Sequence, residues 1–225
     1  MSKPYIWLHI RKAGGTSLRD ALGSSYKQVD RFGAPTPFIA LPRDCWNDNL
    51  NNYRVPLGDY EFKRLLFAKK FLYPEQEFSN RFKFAIVRNP YGRAVSSWRY
   101  LTRNWTFTWP RQVISHYRFD HFLERLPEFW EKIGKERHVA THTAPIWPDI
   151  TDENGALLLD FVGRIENFEE DYLKICEHIG IPQKELPKKN SQGNAIIENI
   201  IIRDPDNSWR NIIGMISTNL AMIIK

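Results

Sequence analysis

Residues 5–17 read YIWLHIRKAGGTS, and this stretch decides the fold class. The mainly apolar residues 5–10 predict a buried strand, and the small residues after them predict a tight turn. Thr16 or Ser17 can cap a helix that continues to about Leu22. A strand, a turn and a helix in this order predict the first unit of a parallel sheet.

Two later segments repeat this alternation of strand and helix. Residues 82–87 form a second apolar run, and Pro90 at a first helical position predicts a helix that ends near Arg103. Residues 157–165 predict a third buried strand, followed by a helix that stops at Gly180. We therefore predict an α/β fold in which a central parallel sheet is flanked by helices.

The remaining segments divide into helices and loops. Apolar spacing predicts helices over residues 60–72 and 121–132. Residues 31–58 are rich in Pro, Gly and Asn and predict a loop, with a short strand at residues 37–41. Turn signals predict a second long loop over residues 137–156.

Length and composition indicate an ordinary globular protein. A chain of 225 residues fits a single domain spanning residues 1–225. The hydrophobic share of 42% and the charged share of 26% exclude collagen, coiled coil and wholesale disorder. Cys45 and Cys176 are too few for a disulfide framework or a four-cysteine zinc site, so we expect free thiols in a reducing compartment.

No segment predicts membrane insertion or secretion. The first residues do not form the apolar core of a signal peptide. The apolar residues 212–224 are shorter than the roughly 20 residues that span a bilayer. We therefore expect a cytoplasmic protein without a transmembrane segment, and the sequence does not predict its oligomeric state.

Charge is unevenly distributed along the chain. Residues 1–100 contain 17 Lys and Arg against 8 Asp and Glu, a net charge of +9, whereas residues 101–225 contain 15 against 18, a net charge of −3. The basic half is consistent with an anionic ligand, but the charge alone favours a solvated basic face.

The turn after the first predicted strand carries the parts of a phosphate site. Gly14 and Gly15 let backbone N–H groups converge on an anion, and the following helix adds its positive end. Lys12 brings a mobile cation, and Thr16 and Ser17 bring hydroxyl donors. Because the lysine precedes the glycines, the pattern differs from the G-x-x-x-x-G-K-[ST] loop of ATP hydrolases.

A second cationic motif follows the second predicted strand. Residues 84–96 read FAIVRNPYGRAVS, which puts Arg88 at the carboxyl end of that strand, where ligands of open α/β sheets bind. Arg93, Ser96 and Tyr100 share one helical face, and arginine with serine can hold a second phosphate. A solvated Arg93 is the alternative.

These motifs resemble those of sulfotransferases. HIRKAGGTSL at residues 9–18 resembles the 5′-phosphosulfate loop, commonly H-I-P-K-T-A-G-T-S, and RNPYGRAVS at residues 88–96 resembles the 3′-phosphate motif R-N-P-x-x-R-x-x-S. Residues 160–167 and 186–191 also resemble segments of this family. The branch most similar to the chain is that of carbohydrate sulfotransferases related to heparan and chondroitin enzymes.

The resemblance extends over about residues 5–192. The tail, residues 193–225, is divergent, and Arg11 stands where the family usually has proline. The divergent tail leaves open a relative that binds the nucleotide without turnover.

The resemblance implies a P-loop-NTPase-like three-layer fold and transfer of a sulfuryl group from 3′-phosphoadenosine 5′-phosphosulfate to an acceptor hydroxyl. Lys12 would stabilise the leaving 5′-phosphate, and Arg88 and Ser96 would hold the 3′-phosphate. The full set implied to bind this co-substrate is Arg11, Lys12, Gly14, Gly15, Thr16, Ser17, Arg88, Ser96, Lys188 and Lys189. No metal is expected, because fixed cations and amides can supply the electrostatic stabilisation.

Sulfuryl transfer to a hydroxyl also needs a base, and histidine suits this role near neutral pH. His142-Thr-Ala-Pro-Ile146 resembles an H-x-x-P-Q segment of the family, with isoleucine in place of glutamine. We therefore predict His142 as the base, with His138 as the second candidate.

The acceptor is expected to be a saccharide, because the resemblance is to carbohydrate enzymes. Aromatic side chains near residues 98–109, including Trp98 and Trp105, can form either a stacking wall or a hydrophobic cluster. Two alternative functions stay open: a small-molecule kinase using ATP, and a non-catalytic nucleotide or polyanion binder. No zinc-finger or RNP pattern is present, so nucleic acid is not an expected partner.

Overall fold

The computed structural model describes residues 2–30, 34–103, 119–131 and 133–186. Side chains are described over the same ranges, except at residues 103, 131 and 133–136. The chain divides into two compact units, which are Met1–Val87 with Ile146–Pro187 (the first unit) and Arg88–Pro145 with Lys188–Lys225 (the second unit).

Within the described residues, the sheet of the first unit has three parallel strands. These are β1 (Tyr5–Leu8), β2 (Phe82–Val87) and β3 (Phe161–Arg164), in the spatial order β1-β2-β3. Continuous apolar runs form these strands because both faces of a parallel sheet are covered. The predicted α/β class with a parallel sheet is confirmed, and the carboxyl ends of all three strands lie at one edge.

The helices of the described residues follow the strands in the expected alternation. In chain order they are α1 (Gly15–Leu22), α2 (Trp46–Leu50), α3 (Arg64–Phe67), α4 (Glu75–Asn80), α5 (Pro90–Arg103), α6 (Phe119–Glu124), α7 (Leu126–Glu131), α8 (Ile133–Thr143), α9 (Trp147–Ile150) and α10 (Phe168–Ile179). None of these described helices is long and apolar enough to cross a bilayer.

The core of the first unit lies between the sheet and helices α1 and α10. Trp7 of β1 and Phe84 of β2 are almost fully buried, and Leu18 of α1 and Ile175 of α10 pack into the same cluster. Each such side chain stabilises the fold by about 1.5–3 kcal/mol relative to exposure. This packing fixes α1 behind β1 and thereby fixes the turn that joins them.

Helix α5 has the predicted bounds and belongs to the second unit. Asn89 caps it, because its Oδ1 accepts the backbone N–H of Tyr91 at 2.9 Å. Leu101 of α5, Phe122 of α6 and Val139 of α8 pack in one buried cluster.

Two predicted loops are wrong. Residues 37–41 are not a strand, since Phe38–Ala40 is a 3-10 turn, and Trp46–Leu50 is helical within the predicted loop of residues 31–58. The second loop, residues 137–156, contains most of α8 and all of α9. In both places tertiary contacts outweigh the weak helix propensity of Asn, Thr and His.

Two predicted elements are present with different bounds. The helix predicted at residues 60–72 begins at Arg64, because Phe62 adopts a left-handed backbone with φ 58°, and it ends in a π-helical turn, Ala68–Leu72. The third strand is shorter than residues 157–165, because Leu157 forms an antiparallel bridge with Thr151 instead.

Candidate active site

The turn between β1 and α1, residues 9–14, which we call the donor loop, is built from left-handed backbone. Lys12 has φ 67° and Gly14 has φ 76°. A left-handed conformation costs a non-glycine residue about 1–2 kcal/mol, and such residues cluster at ligand sites. Alternating backbone of this kind turns successive N–H groups toward one side, which favours an anion.

Helix α1 begins without a side-chain cap. Its N-cap residue is Gly14, so Thr16 and Ser17 lie inside the first turn and do not cap the helix as predicted. Thr16 is exposed and Ser17 is buried. The amides at the start of this eight-residue helix point toward the donor loop.

Close packing explains the two glycines of the loop. A Cβ atom on Gly15 would overlap the His9 imidazole, and a Cβ atom on Gly14 would overlap the side chain of Ile165. At Gly15 the imidazole would have to move, whereas at Gly14 the flexible end of Ile165 can yield and the positive φ of 76° is what favours glycine. Gly15 therefore fixes how closely the donor loop approaches β1.

His9 is a centre of polar contacts at the base of the loop. Its buried ring stacks on Trp7, with centroids 5.0 Å apart and planes at 25°. Its Nδ1 lies 3.3 Å from Nη1 of Arg11 and 3.5 Å from Nη2 of Arg19. Arg11 also donates from Nη2 to the carbonyl oxygen of Asn51 at 2.6 Å. These two contacts hold Arg11, which the resemblance assigned to the donor, against the protein.

Two amide side chains of the α2 region cover the open edge of β1. Asn47 exchanges hydrogen bonds with both the N–H and the carbonyl of Trp7, each at 3.0 Å. Asn51 accepts the N–H of His9 at 2.8 Å and donates to the Trp7 carbonyl at 2.8 Å. The pair substitutes for a neighbouring strand, so the buried edge keeps its backbone hydrogen bonds.

A buried ion pair supports the same region. Arg64 binds Asp149 through Nε at 3.1 Å and Nη2 at 2.7 Å, with side-chain exposures of 15% and 6%. Nη1 of Arg64 donates to the carbonyl oxygen of His9 at 3.3 Å and to Oδ1 of Asn51 at 3.2 Å. One guanidinium therefore connects α3 and α9 to the start of the donor loop.

Arg19 and Asp48 extend this polar network away from the loop. Nη2 of Arg19 lies 3.7 Å from Oδ1 of the fully buried Asp48, which also accepts the N–H of Val29. Burial raises the pKa of the neighbouring Tyr26 above its usual range, and the Asp48 charge adds to the shift. Tyr26 therefore stays protonated and serves as a hydrogen-bonding partner for Asn51.

The second motif follows β2 without a gap. Arg88 comes directly after Val87, the last residue of β2, and is half-buried. Ser96 is half-buried on α5. Arg93 is not the solvated side chain considered as an alternative, since it is buried and donates to the carbonyl oxygen of Ala144 at 3.0 Å. Its role there is to tie α5 to the end of α8.

The two candidate bases share helix α8 of the second unit. His138 is half-buried and His142 is buried, one helical turn apart, with ring centroids 4.9 Å from each other. The Tyr100 ring of α5 lies 4.5 Å from that of His142. Oγ of Ser97 donates to the His142 carbonyl at 2.7 Å, which anchors this end of α8 on α5.

Some predicted residues lie outside the described part of the chain. These are Lys188 and Lys189, together with Trp105 of the aromatic segment. Trp98 of that segment packs edge-on against Phe119 at 5.6 Å, as part of the hydrophobic cluster of the second unit. Within the described residues, no three His, Cys, Asp or Glu side chains gather as a metal site.

Sequence reasoning missed four residues that support the donor loop. Asn47 and Asn51 are four residues apart, a spacing that puts two amides on one helical face and could have indicated them. Arg64 and Asp149 are 85 residues apart, and no local pattern connects them.

Comparison with known proteins agrees with this architecture. A family profile described as Sulfotransferase family matches residues 2–208. No curated protein and no solved structure shows a significant match to the chain. The matched region runs 16 residues past position 192, where the predicted resemblance ended. The parallel α/β sheet is consistent with the P-loop-like fold of that family, and we conclude that the chain belongs to the sulfotransferase family.

Proposed function

We propose that the protein transfers a sulfuryl group from 3′-phosphoadenosine 5′-phosphosulfate to a hydroxyl group of a saccharide. Sulfuryl transfer in general follows from the family, whereas this donor and this acceptor are the proposal. The observation that carries it is the left-handed donor loop, in which Lys12 and Gly14 precede an uncapped helix N-terminus. Such a turn favours a phosphate or sulfate oxygen.

The residues of the loop fit the 5′ end of this donor. The His9 imidazole fills the space of a side chain at Gly15, and the backbone amide is the group that Gly15 would offer to an anion. The half-buried Lys12 would supply the cation, and the exposed Thr16 a hydroxyl donor. Ser17 is buried and would act within the helix. Arg11 would brace the loop, since its guanidinium contacts His9 and Asn51.

The 3′-phosphate would be held by the motif after β2. Arg88 and Ser96 match the family's arginine and serine, and Lys188 or Lys189 would add a further cation. A planar guanidinium binds phosphate through two parallel hydrogen bonds. This contact would distinguish the donor from ordinary adenine nucleotides, which lack the 3′-phosphate.

The chain's own residues would supply the acid–base and electrostatic parts of the reaction. His142, or His138 in its place, would take the proton of the acceptor hydroxyl. The acceptor oxygen then bonds to sulfur while the bond between sulfur and the 5′-phosphate oxygen breaks. Lys12 and the amides near Gly15 would balance the negative charge that remains on that phosphate.

A saccharide acceptor is supported by the similarity to carbohydrate sulfotransferases and by exposed aromatic rings of the first unit. Phe71 is 59% exposed and lies 5.3 Å from Phe67 and 5.1 Å from Tyr60, measured between ring centroids. Aromatic rings of this kind can cover the apolar face of a sugar. We expect Phe71→Ala to raise KM for a saccharide acceptor without changing affinity for the nucleotide.

The proposal is tested by thermal stabilisation with 3′-phosphoadenosine 5′-phosphate, ADP and AMP. A ligand at a hundred times its dissociation constant adds about 2.7 kcal/mol of stability. We expect the largest shift in Tm with the 3′-phosphorylated nucleotide. Lys12→Ala should weaken that shift, whereas Lys69→Ala, at an exposed lysine of the same unit, should not.

Other results would favour the alternatives. Equal stabilisation by ADP and the 3′-phosphorylated nucleotide would argue against this donor, and magnesium-dependent phosphate transfer from ATP would establish a kinase. Binding of the nucleotide without sulfuryl transfer to any member of a saccharide panel would establish a non-catalytic relative.

A further inference from the structure

We infer that His9 is a positioning residue of the donor loop, acting as a neutral imidazole that carries its proton on Nε2. The identity of the donor in this inference rests on the proposed function, but the geometry of the histidine does not. His9 lies directly after β1, and its ring lies between the strand and the first residue of α1.

The two arginines determine which ring nitrogen holds the proton. Nδ1 faces Nη1 of Arg11 and Nη2 of Arg19, at 3.3 and 3.5 Å. A guanidinium has only N–H donors and keeps its charge throughout the accessible pH range. A proton on Nδ1 would oppose two donors and two positive charges at once. Nδ1 is therefore the acceptor, and Nε2 carries the proton.

The other edge of the ring determines the position of Gly15. A Cβ atom on Gly15 would collide with Nε2 and its neighbouring ring carbons, so the imidazole occupies the space that a side chain would take. On its face the ring stacks on Trp7, which is itself 1% exposed. The imidazole is thus a spacer between a rigid strand and the first amide of α1.

The backbone of His9 is fixed as firmly as its ring. Its N–H donates to Oδ1 of Asn51 at 2.8 Å, and its carbonyl accepts from Nη1 of Arg64 at 3.3 Å. Rotation of the ring would lose the contacts of Nδ1 with Arg11 and Arg19 and the stacking on Trp7. His9 therefore holds the amides that would bind the donor in a position set by the buried network, and it does not touch the donor itself.

Variants of His9 separate hydrogen bonding from space filling. His9→Asn keeps an acceptor oxygen near the place of Nδ1, whereas His9→Leu fills the space with no acceptor. We expect His9→Leu to weaken binding of 3′-phosphoadenosine 5′-phosphate about tenfold or more, the effect of losing a hydrogen bond to a charged partner, and His9→Asn to recover part of this loss. Equal affinity of His9→Leu and the wild type would overturn the inference.

A double-mutant cycle tests the contact with Gly15. Gly15→Ala should weaken nucleotide binding in the wild type, because the new methyl group displaces the imidazole. In His9→Ala the same substitution should cost much less, since the space is free. Additive effects on the dissociation constant would contradict the positioning role. Far-UV circular dichroism and Tm, with Lys69→Ala as control, identify any variant that fails to fold.

Histidine tautomers can be read without any nucleotide, which separates this inference from the proposed function. Long-range ¹⁵N NMR of the wild type should show the His9 signal, assigned by its absence in His9→Asn, with the proton on Nε2. Arg11→Ala combined with Arg19→Ala should let both tautomers appear. A protonated Nδ1 in the wild type would overturn the inference even if the nucleotide binds. A wild type that shows the Nε2 tautomer but binds no nucleotide would leave His9 a loop-positioning residue and contradict only the proposed donor.

Discussion

The donor loop and helix α8 carry two of the three sets of residues that the sequence singles out for chemistry, and they are stabilised in different ways. Around the donor loop, buried polar side chains from distant parts of the chain converge on His9, among them Asn51 and Arg64. On α8, His138 and His142 are placed by helical periodicity, one turn apart, and their rings pack against each other and against Tyr100.

The difference has consequences for mutation. Backbone geometry in the loop depends on hydrogen bonds made by side chains that do not take part in chemistry, so their loss should disturb binding and stability together. A histidine on a regular helix keeps its backbone whatever its side chain, so its replacement should affect the reaction far more than the fold. Substitutions in the two regions should therefore differ in which property they change.

The largest effect is expected on α8. His142→Ala should lower kcat by about 10²–10⁴-fold, the usual contribution of a general base, with little change in affinity for 3′-phosphoadenosine 5′-phosphate. Steady-state sulfuryl transfer to a saccharide acceptor measures kcat, and the thermal shift measures nucleotide binding. The exposed His121→Ala in α6 is the matched control and should retain activity.

The His138→Ala variant is needed to interpret the kcat of His142→Ala. If His138→Ala abolishes turnover and His142→Ala preserves it, the roles assigned to the two histidines must be exchanged. If both variants stay fully active, neither residue of α8 is the base.

The second largest effect is expected on the free energy of unfolding when the Arg64–Asp149 ion pair beside the donor loop is broken. Asp149→Asn leaves the Arg64 guanidinium buried without its carboxylate, and breaking such a pair costs about 3–5 kcal/mol. Denaturant unfolding should show this loss, accompanied by weaker nucleotide binding. Arg43→Ala removes an ion pair with Glu77 whose arginine is 61% exposed, and it should change stability by no more than about 1 kcal/mol. Similar losses in both variants would contradict the importance of the buried pair.

The same contrast explains what the sequence could predict. Three strands and the start of α5 were predictable, because continuous apolar runs and Pro90 act locally. The loop motif was readable only together with the second motif, since an ordinary turn between a strand and a helix also uses small residues. Helix α2 was not predictable, because asparagine has weak helix propensity and the hydrogen bonds of Asn47 and Asn51 to the edge of β1 join segments about 40 residues apart.

Helix α8 escaped prediction for a related reason. Its residues are polar and β-branched, with weak apolar periodicity, and the histidines lie beside turn signals. What holds it is burial of Val139 with Leu101 and Phe122, a contact between segments that the sequence cannot bring together. The histidines were therefore identified by family resemblance, while their helical setting came only from the structure.

A smaller effect is expected at the amide that bonds both β1 and His9. Asn51→Leu keeps the volume but leaves the N–H of His9 and part of the bonding of the Trp7 carbonyl unsatisfied. We expect a loss of about 1–3 kcal/mol in the free energy of unfolding. Asn52→Ala, at a half-buried neighbour whose side chain accepts the N–H of Arg54, is the control and should change little. A neutral Asn51→Leu would show that the covered edge of β1 tolerates unpaired groups.

The smallest effect is a change in the pH dependence of stability caused by Tyr5 of β1, and it is absent at neutral pH. Burial raises the pKa of Tyr5 from 10.0 to about 12, while its hydrogen bond to Ser25 acts in the opposite direction. The folded state therefore binds the phenolic proton more tightly than the unfolded state. The resulting stabilisation is complete below pH 10 and is lost as the pH rises through 12.

Tyr5→Phe should make the decline in unfolding free energy between pH 10 and 12 shallower, whereas Ser25→Ala should keep the decline and lower the unfolding free energy at every pH. An unchanged slope in Tyr5→Phe would mean that the alkaline sensitivity of the first unit arises elsewhere, with the buried Tyr172, whose pKa burial also raises to about 12, as the next group to replace.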